Sequence, residues 1–347
     1  MKYSVAVSSG LALPSIVPSS VFGASAPSNK ITVGCIGVGN QGTGNMTAFV
    51  GRGRGDSVVV AACDVDAGHL ESARVKAGLD KSSCYNDFRE LIARPDIDAV
   101  AVSTPDHWHT LISLAAIKSG KDVFCEKPLT LTIAEGRALS DAATRYGRVV
   151  QTGSQQRSSR LFRRACEFVR NGKIGKLKTV RVDIPGNNRA NPMDWKLQPV
   201  PKGFDYNMWL GQAPNVPYHP MRCHYTFRFL LAHSGGQMTN WGAHYLDIAQ
   251  WGIGADNSGP LAIHGKGEFP KGGLFTTAEK ADIVYTYADD VKLILKQYKG
   301  NGGNIRFEGS EGWISVNRKR MEAEPDSLLT YNTKPQELHL YNSLDHK

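Results

Sequence analysis

Lys127 is the residue in this chain whose setting most suggests chemistry. It stands in Glu126-Lys127-Pro128, directly after the apolar run Asp122-Val123-Phe124-Cys125. Val, Phe and Cys suit a strand covered on both faces, whereas an ionisable pair does not. The pair is therefore expected where the strand leaves the sheet, with the backbone restricted by Pro128. Two neighbouring strand ends carry polar residues as well. Thr104-Pro105-Asp106-His107-Trp108-His109 follows the strand at 98–103, and Gln151 to Arg157 follows the strand starting at Arg148. Far along the chain, Asn240, His244 and Asp247 recur at i, i+4 and i+7, which places them on one face of a helix beside an apolar stripe. A lysine at a strand end and a histidine on a polar helix stripe are candidates for catalytic groups facing a cleft.

What must position them begins at Ile31. The hydrophobic strand Ile31–Ile36 runs into Gly37-Val38-Gly39-Asn40-Gln41-Gly42, a G-x-G-x-x-G between a strand and a helix. Glycines there permit a tight turn, close approach to a pyrophosphate and close helix packing, with the phosphate on the helix N-terminus. The strand Ser57–Cys63 then ends in Asp64, about 20 residues further on, where a carboxylate accepts from an adenosine ribose 2′-hydroxyl and repels a 2′-phosphate. NAD is thus expected over NADP. Asp66 stands close enough to compete for that role.

The first half alternates strand-like and helix-like segments. Helices are expected over 71–77, 86–94, 111–119 and 133–146, and strands over 98–103, 122–125 and 148–151. That order predicts a doubly wound parallel sheet of the Rossmann kind, with ligands at the carboxyl ends of its strands. The second half reads as an α+β domain. A helix is expected over 158–175 and a strand over 178–184, followed by an irregular, aromatic-rich stretch to Tyr225. Strands over 261–267, 281–288, 291–299, 304–309 and 313–317 then form a large, mainly antiparallel sheet, with Asp289-Asp290 as a hairpin turn. Trp195 and Tyr225 in the aromatic stretch are candidates to line a sugar-sized cleft. The divisions are a leader at 1–26, a nucleotide domain at 27–153, a substrate and oligomerisation domain at 154–330, and a polar tail at 331–347.

The 347 residues, 41% hydrophobic and 21% charged, suffice for two folded domains. A net charge of +9 permits an acidic partner, but lysines and arginines are scattered and no basic block with interleaved aromatics marks a nucleic-acid surface. The six cysteines show no C-x-x-C spacing, so neither a metal site nor a disulfide framework is expected. No segment has the ~20 consecutive apolar residues of a membrane span. The mildly apolar, Ser-rich start ending in Ala24-Ser25-Ala26 fits an export signal with an A-x-A cleavage site, which places the mature protein in the periplasm. A cytoplasmic chain with a disordered leader is the alternative.

The glycine turn, the T-P-x-x-x-H of Thr104 to His109 and the E-K-P at 126–128 occur in the order and spacing of the glucose–fructose oxidoreductase, inositol dehydrogenase and rhizopine-catabolism (Gfo/Idh/MocA) family. Gly235 to Asp247 resembles that family's second signature, G-G-x-x-x-D-x-x-x-H-x-x-D. The resemblance implies that Lys127 reaches the substrate beside the nicotinamide and that Pro105 and His109 lie along the cofactor. It implies a catalytic role for His244, and a second subunit against the outer face of the large sheet, in a homo-oligomer. Asn240 departs from the pattern, since many sugar-alcohol dehydrogenases of the family have aspartate there. Asparagine can orient an imidazole but cannot stabilise an imidazolium by charge. Relatives with such a leader usually continue further, so a truncated C-terminus is expected.

The candidate catalytic residues are Lys127, His244 and Asn240. The cofactor residues are Gly37, Gly39, Asn40, Gln41, Gly42, Asp64, Thr104, Pro105, His109, Glu126, Lys127 and Gln155, and the substrate residues are Arg157, Trp195, Tyr225 and Asp247. The expected reaction is NAD-dependent oxidation of a sugar, glycoside or cyclitol hydroxyl. An NAD-dependent glycosidase working by transient oxidation, and a non-catalytic NAD sensor, are the alternatives.

Overall fold

The computed structural model describes residues 30–51, 56–298, 300 and 302–343, so the leader expected at 1–26 lies outside the described residues. Six strands build the first sheet: Ile31–Ile36 (β1), Ser57–Cys63 (β2), Cys84–Tyr85 (β3), Ala99–Val102 (β4), Asp122–Cys125 (β5) and Val150–Thr152 (β6). All neighbours are parallel, in the order β3-β2-β1-β4-β5-β6. Helices Asn40–Gly51 (α1), Ala67–Ala77 (α2), Phe88–Ile92 (α3), Asp106–Lys118 (α4) and Ile133–Tyr146 (α5) cover it. Met46 and Ala73 pack against Val33, Val59 and Phe124 on one face, and Leu91, Ile112 and Leu139 against Val100, Val123 and Cys125 on the other. Burial on both faces is why these strands read as unbroken apolar runs. The strand order reverses between β1 and β4, and a crevice opens at their carboxyl ends.

In the second domain, Arg160–Arg170 (α6) and Gly242–Ile253 (α9) lie on one face of a seven-stranded sheet. Its strands are Leu177–Pro185 (β7), Ala262–Glu268 (β8), Lys280–Thr286 (β9), Lys292–Tyr298 (β10), Asn304–Gly309 (β11), Trp313–Val316 (β12) and Met321–Glu324 (β13). The order is β13-β12-β11-β7-β10-β9-β8, antiparallel throughout except for β7 with β10. Phe162, Phe168, Tyr245 and Ile248 interlock there with Val180, Leu293, Ile305 and Phe307. The short helices Tyr206–Leu210 (α7) and Gln237–Asn240 (α8) complete the fold. Asp289 and Asp290 make the hairpin turn with φ of 56° and 59°, the left-handed geometry that matches strand twist.

Several elements differ from the sequence reading. Helix α4 starts at Asp106, five residues before the periodic apolar stretch, because Pro105 takes the N-cap position and Asp106 favours the helix N-terminus. His109 therefore sits on a helix rather than in a strand-end loop. The helix expected over 158–175 is confined to α6, preceded by a 3₁₀ turn at Gln155–Ser158. The segment from Lys334 is not a free tail. Lys173 pairs with Glu337 at 2.5 Å, Asn171 exchanges two hydrogen bonds with Leu338, and the Leu340 amide donates to Glu167. Polar residues there bond to α6 and the turn after it, and Tyr331 and Leu340 pack against the core.

Candidate active site

A cleft of about 560 Å³ lies between the carboxyl edge of the parallel sheet and the second domain. Its floor is the glycine turn. Gly37 has φ +79°, and a Cβ there would stand 2.7 Å from the Thr104 amide nitrogen; a Cβ on Gly42 would stand 1.7 Å from the Gly37 carbonyl oxygen. Only glycine satisfies either position. At Gly39 a Cβ would meet only the His69 ring, at 3.4 Å, so the turn's outer side is open to a ligand. Asn40 and Gln41 open α1, whose first turn holds no acidic residue, leaving its N-terminal amides free to face an anion.

Asp64 fixes the edge of this cradle. Its Oδ2 accepts from the Val38 amide at 2.8 Å and its Oδ1 from the Asp66 amide at 2.9 Å. Asp66, the competing carboxylate, instead caps α2, accepting from Gly68 and His69 amides through Oδ1. His69 leans on Asp64, its Nδ1 3.7 Å from Oδ2, and the carboxylate raises the imidazole pKa. His69 packs edge-on to His224 at 5.2 Å. Asp66, His69 and His224 offer metal-ligating atoms within 4.8 Å of one another. Capping engages Asp66, and ring packing engages His69 and His224. The glycine turn, bare helix N-terminus and Asp64 together fit the pyrophosphate and adenosine ribose of NAD.

Glu126 joins this cradle to Lys127. It is buried, and its Oε1 accepts from Gln41 Nε2 at 3.0 Å and Asn45 Nδ2 at 2.9 Å, while its Oε2 accepts from the Lys127 amide. Asn45, 1% exposed, also donates to Ser103. Sequence reasoning missed it, because α1 carries Asn40, Gln41, Thr43 and Thr47 as well and nothing in the sequence singled Asn45 out.

His109, expected along the cofactor, lines the cleft wall but turns its nitrogens elsewhere. Nδ1 lies 2.7 Å from the Pro128 carbonyl oxygen and Nε2 2.8 Å from that of Thr104. Carbonyl oxygens only accept, so both contacts are hydrogen bonds only when both nitrogens carry protons. Burial opposes that charge, but Cys125, Asp106 and the Pro128 carbonyl outweigh it and push the pKa up to about 10. His109 thus straps the loop after β4 to the loop after β5. Thr104 and Pro105 belong to the first of these loops and also line the cleft. Asp106 is buried, with its pKa raised by burial, and accepts from Ser234 Oγ at 2.5 Å.

Lys127 projects into the cleft, where its Nζ donates to Asn240 Oδ1 at 2.9 Å and to the Asn240 carbonyl at 3.3 Å. Burial, and next the charge of Arg228, lower its pKa to about 8. The Asn240 amide donates in turn to Gln237 Oε1 at 2.9 Å. Asn240 therefore orients Lys127. His244 is 6% exposed in the first turn of α9 and lines the same cleft. The helix expected through this motif divides into α8 and α9 at Trp241, which remains αR, so Asn240 and His244 still face the same way.

The substrate expectations are partly corrected. Arg157 and Asp247 lie outside the cleft lining and satisfy one another. Arg157 bonds Asp247 through Nε at 2.9 Å and Nη2 at 2.7 Å, and Asp256 at 2.9 Å, tying the 3₁₀ turn to α9. Trp195 also lies off the cleft, beneath Arg222 and edge-on to His219. Tyr225 and Gln155 do line it. Phe204 and Trp209 of the aromatic stretch line it too, and Arg228, Trp241 and Arg318 are unforeseen lining residues. Phe204 and Trp209 arrive because the irregular stretch is fastened to the first domain. The Ala67 amide donates to Gly203, the Asp205 amide to Val65, and Trp108 Nε1 to the Trp209 carbonyl.

Comparisons with known proteins agree with this geometry. Residues 31–154 match the model of the Gfo/Idh/MocA oxidoreductase family's NAD-binding Rossmann fold, and residues 188–336 match that of its C-terminal α/β domain. Myo-inositol 2-dehydrogenase of Thermotoga maritima is 33% identical over 150 residues, 43% of this chain and 44% of that protein. Inositol 2-dehydrogenase of Salmonella typhimurium is 30% identical over 146 residues, 42% and 43% of the two chains. The chain spans less than half the length of these curated relatives. Among solved structures, levoglucosan dehydrogenase in complex with NADH superposes with a TM-score of 0.66 at 20% identity, covering 85% of this chain and 76% of that one. The WlbA dehydrogenase from Bordetella pertussis, in complex with NADH and UDP-GlcNAcA, gives 0.67 at 17% identity, covering 84% and 80%. At such identities the likeness is one of fold. Both domains are matched in order by models of one family, and the chain belongs to the Gfo/Idh/MocA oxidoreductases, with their NAD-binding Rossmann unit as its first domain.

Proposed function

We propose that this protein is an NAD-dependent dehydrogenase acting on a hydroxyl of a sugar, glycoside or cyclitol. The observation that carries the reading is Lys127: a desolvated ammonium at the strand end beside the glycine turn, held by Asn240 one helical turn before His244. Amides of the turn and of α1 would hold the pyrophosphate, Asp64 the adenosine ribose, and Glu126 and Gln155 stand toward the reactive end. Bound there, the nicotinamide supplies a hydride acceptor or donor.

The chain's own residues handle the proton and the charge. His244 takes the hydroxyl proton as general base. Lys127, charged below about pH 8, donates a hydrogen bond to the same oxygen as negative charge develops on it. Low solvent access strengthens that interaction, and the strap of His109 keeps the lysine's loop in register with the neighbouring strand end. The relatives act on polyols and sugars by their names, which agrees with a cleft of this volume walled by aromatic rings.

The test is nicotinamide absorbance during incubation with NAD and a panel of sugars and cyclitols. Turnover by the native protein, with Lys127→Ala slowed by at least ~100-fold while NAD still binds, is the expected result. Release of free sugar from an aryl glycoside without net NADH would mean transient oxidation instead. We further propose export through the leader and a homo-oligomer formed through the large sheet, where Leu261 and Ile263 are 77% and 63% exposed. Intact and native mass spectrometry would read both.

A further inference from the structure

Lys127 is not the only cation at its end of the cleft. Arg228 and Arg318 line the same space, and each opposes the lysine's charge. Arg228 is held by its Nη1, which donates to the Tyr225 carbonyl at 2.5 Å, and by the rings of Tyr225 and Phe227, 4.5 and 5.0 Å from its guanidinium carbon. Arg318 lies 4.7 Å over the ring of Trp241, the residue after Asn240. Among the described residues no salt bridge includes Lys127, Arg228 or Arg318, whereas Arg157 in the same domain has two carboxylate partners. The nearest acids are engaged elsewhere, Glu126 by Gln41 and Asn45 and Asp106 by Ser234.

Burial lowers the pKa of Arg228 and the charges of Asp106 and Glu126 offset this only in part, so its guanidinium is largely stripped of water with no direct ion pair among the described residues. Such a charge is costly unless a ligand completes it. A guanidinium held over aromatic rings is also pre-organised for two-pronged recognition of an oxyanion. The cofactor's pyrophosphate has its own donors at the glycine turn and the start of α1. The Glu126 carboxylate, bound to α1, stands between that cradle and Lys127.

We propose that the substrate carries an anionic substituent, a carboxylate, sulfate or phosphate on the sugar, received by Arg228 and Arg318 beside Lys127. The proposal rests on the dehydrogenase reading and narrows its substrate class from neutral sugars to acidic ones.

The experiment compares D-glucose, D-glucuronate, glucose 6-sulfate and glucose 6-phosphate, with their galactose counterparts, as substrates of the NAD-loaded protein. NAD affinity is measured separately by calorimetry. The native protein should favour at least one acidic sugar over its neutral counterpart by about 100-fold in kcat/KM. Arg228→Gln and Arg318→Gln should each reduce that ratio about 10- to 100-fold, the range of a charge-assisted hydrogen bond. Arg228→Lys should retain part of it. Whether the acid turned over is the uronate, the sulfate or the phosphate identifies the substituent. Equal use of neutral and acidic sugars overturns the inference and leaves the dehydrogenase reading standing. So does a pair of Gln variants that weaken NAD binding at an unchanged ratio, since the arginines would then serve the cofactor. Failure of every sugar to reduce NAD overturns both. Arg318 is exposed, so its variant keeps the test informative if Arg228→Gln does not fold.

Discussion

Asn240→Asp would place a carboxylate 2.9 Å from the Lys127 ammonium, where a neutral amide oxygen now sits. In the native protein burial and Arg228 depress the lysine from 10.5 to about 8. At about 1.4 kcal/mol per pH unit, that is about 3 kcal/mol against the charged form. An adjacent opposite charge shifts a titration by about 1–3 pH units toward the charged form. The alkaline limb of kcat/KM, set by loss of the lysine's proton, should therefore move from about 8 to between about 9 and 11. Stability gives an independent reading. Between pH 8 and 10.5 the unfolded chain binds more protons at this lysine than the folded one, so the native protein gains stability as pH rises through that window. Asn240→Asp should flatten the gain, and Lys127→Met should remove it. The substitution also loses the Nδ2 donation to Gln237, costing about 1 kcal/mol. The assays are a pH–rate profile and denaturant melts at each pH. An alkaline limb that stays near 8 in Asn240→Asp would refute the assignment of that limb to Lys127.

Three further outcomes follow from the site. His109→Ala leaves the Thr104 and Pro128 carbonyls without their donor, so it should cost about 2–5 kcal/mol in urea melts and lower kcat more than NAD affinity. In ¹⁵N spectra of the native protein both ring nitrogens of His109 should remain protonated at pH 8. Its raised pKa contributes stability fully below about 6.5, lost as pH rises toward about 10, opposite in sign to Lys127. Asp64→Ala removes the acceptor for the Val38 amide and the charge that repels a 2′-phosphate, so calorimetry should show NAD weakened at least ~10-fold and preference over NADP lost. Thr132→Ala breaks the capping box of α5, outside the cleft lining, and should lower stability by about 1 kcal/mol while kcat is unchanged.

Features fixed by local chemistry were legible in the sequence, and those fixed by distant partners were not. The glycine turn, β5 with its Glu-Lys-Pro exit, and α5 were each readable because the residues that define them are adjacent. The parallel, doubly wound character of the first sheet followed from the alternation of strands and helices, whereas its strand order and the short edge strand β3 did not. Arg157 and Asp247 look like site residues in sequence, since each is a charge beside a motif. Only the fold shows that they neutralise one another across the 3₁₀ turn and α9. Arg228 and Arg318 gave no such signal: one stands between Phe227 and Phe229 and the other follows a β-strand, and neither has a motif around it. The spacing of Asn240 to its i+4 neighbour His244 was visible in sequence, whereas its contact with Lys127, 113 residues away, was not. His109 was noticed as part of a motif, but its work depends on two carbonyls that β4 and β5 bring together.

The central claim is that Lys127 and His244 support hydride exchange between a carbohydrate hydroxyl and NAD in this cleft. The most direct test is a single-turnover experiment with NAD-loaded protein and a turned-over sugar, following the nicotinamide spectrum in native protein, Lys127→Ala and His244→Ala. The account predicts one equivalent of NADH per active site in the native protein and slow or no formation in either variant, with the cofactor bound in all three. An unchanged nicotinamide spectrum in the native protein with every carbohydrate offered, despite bound NAD, would contradict it.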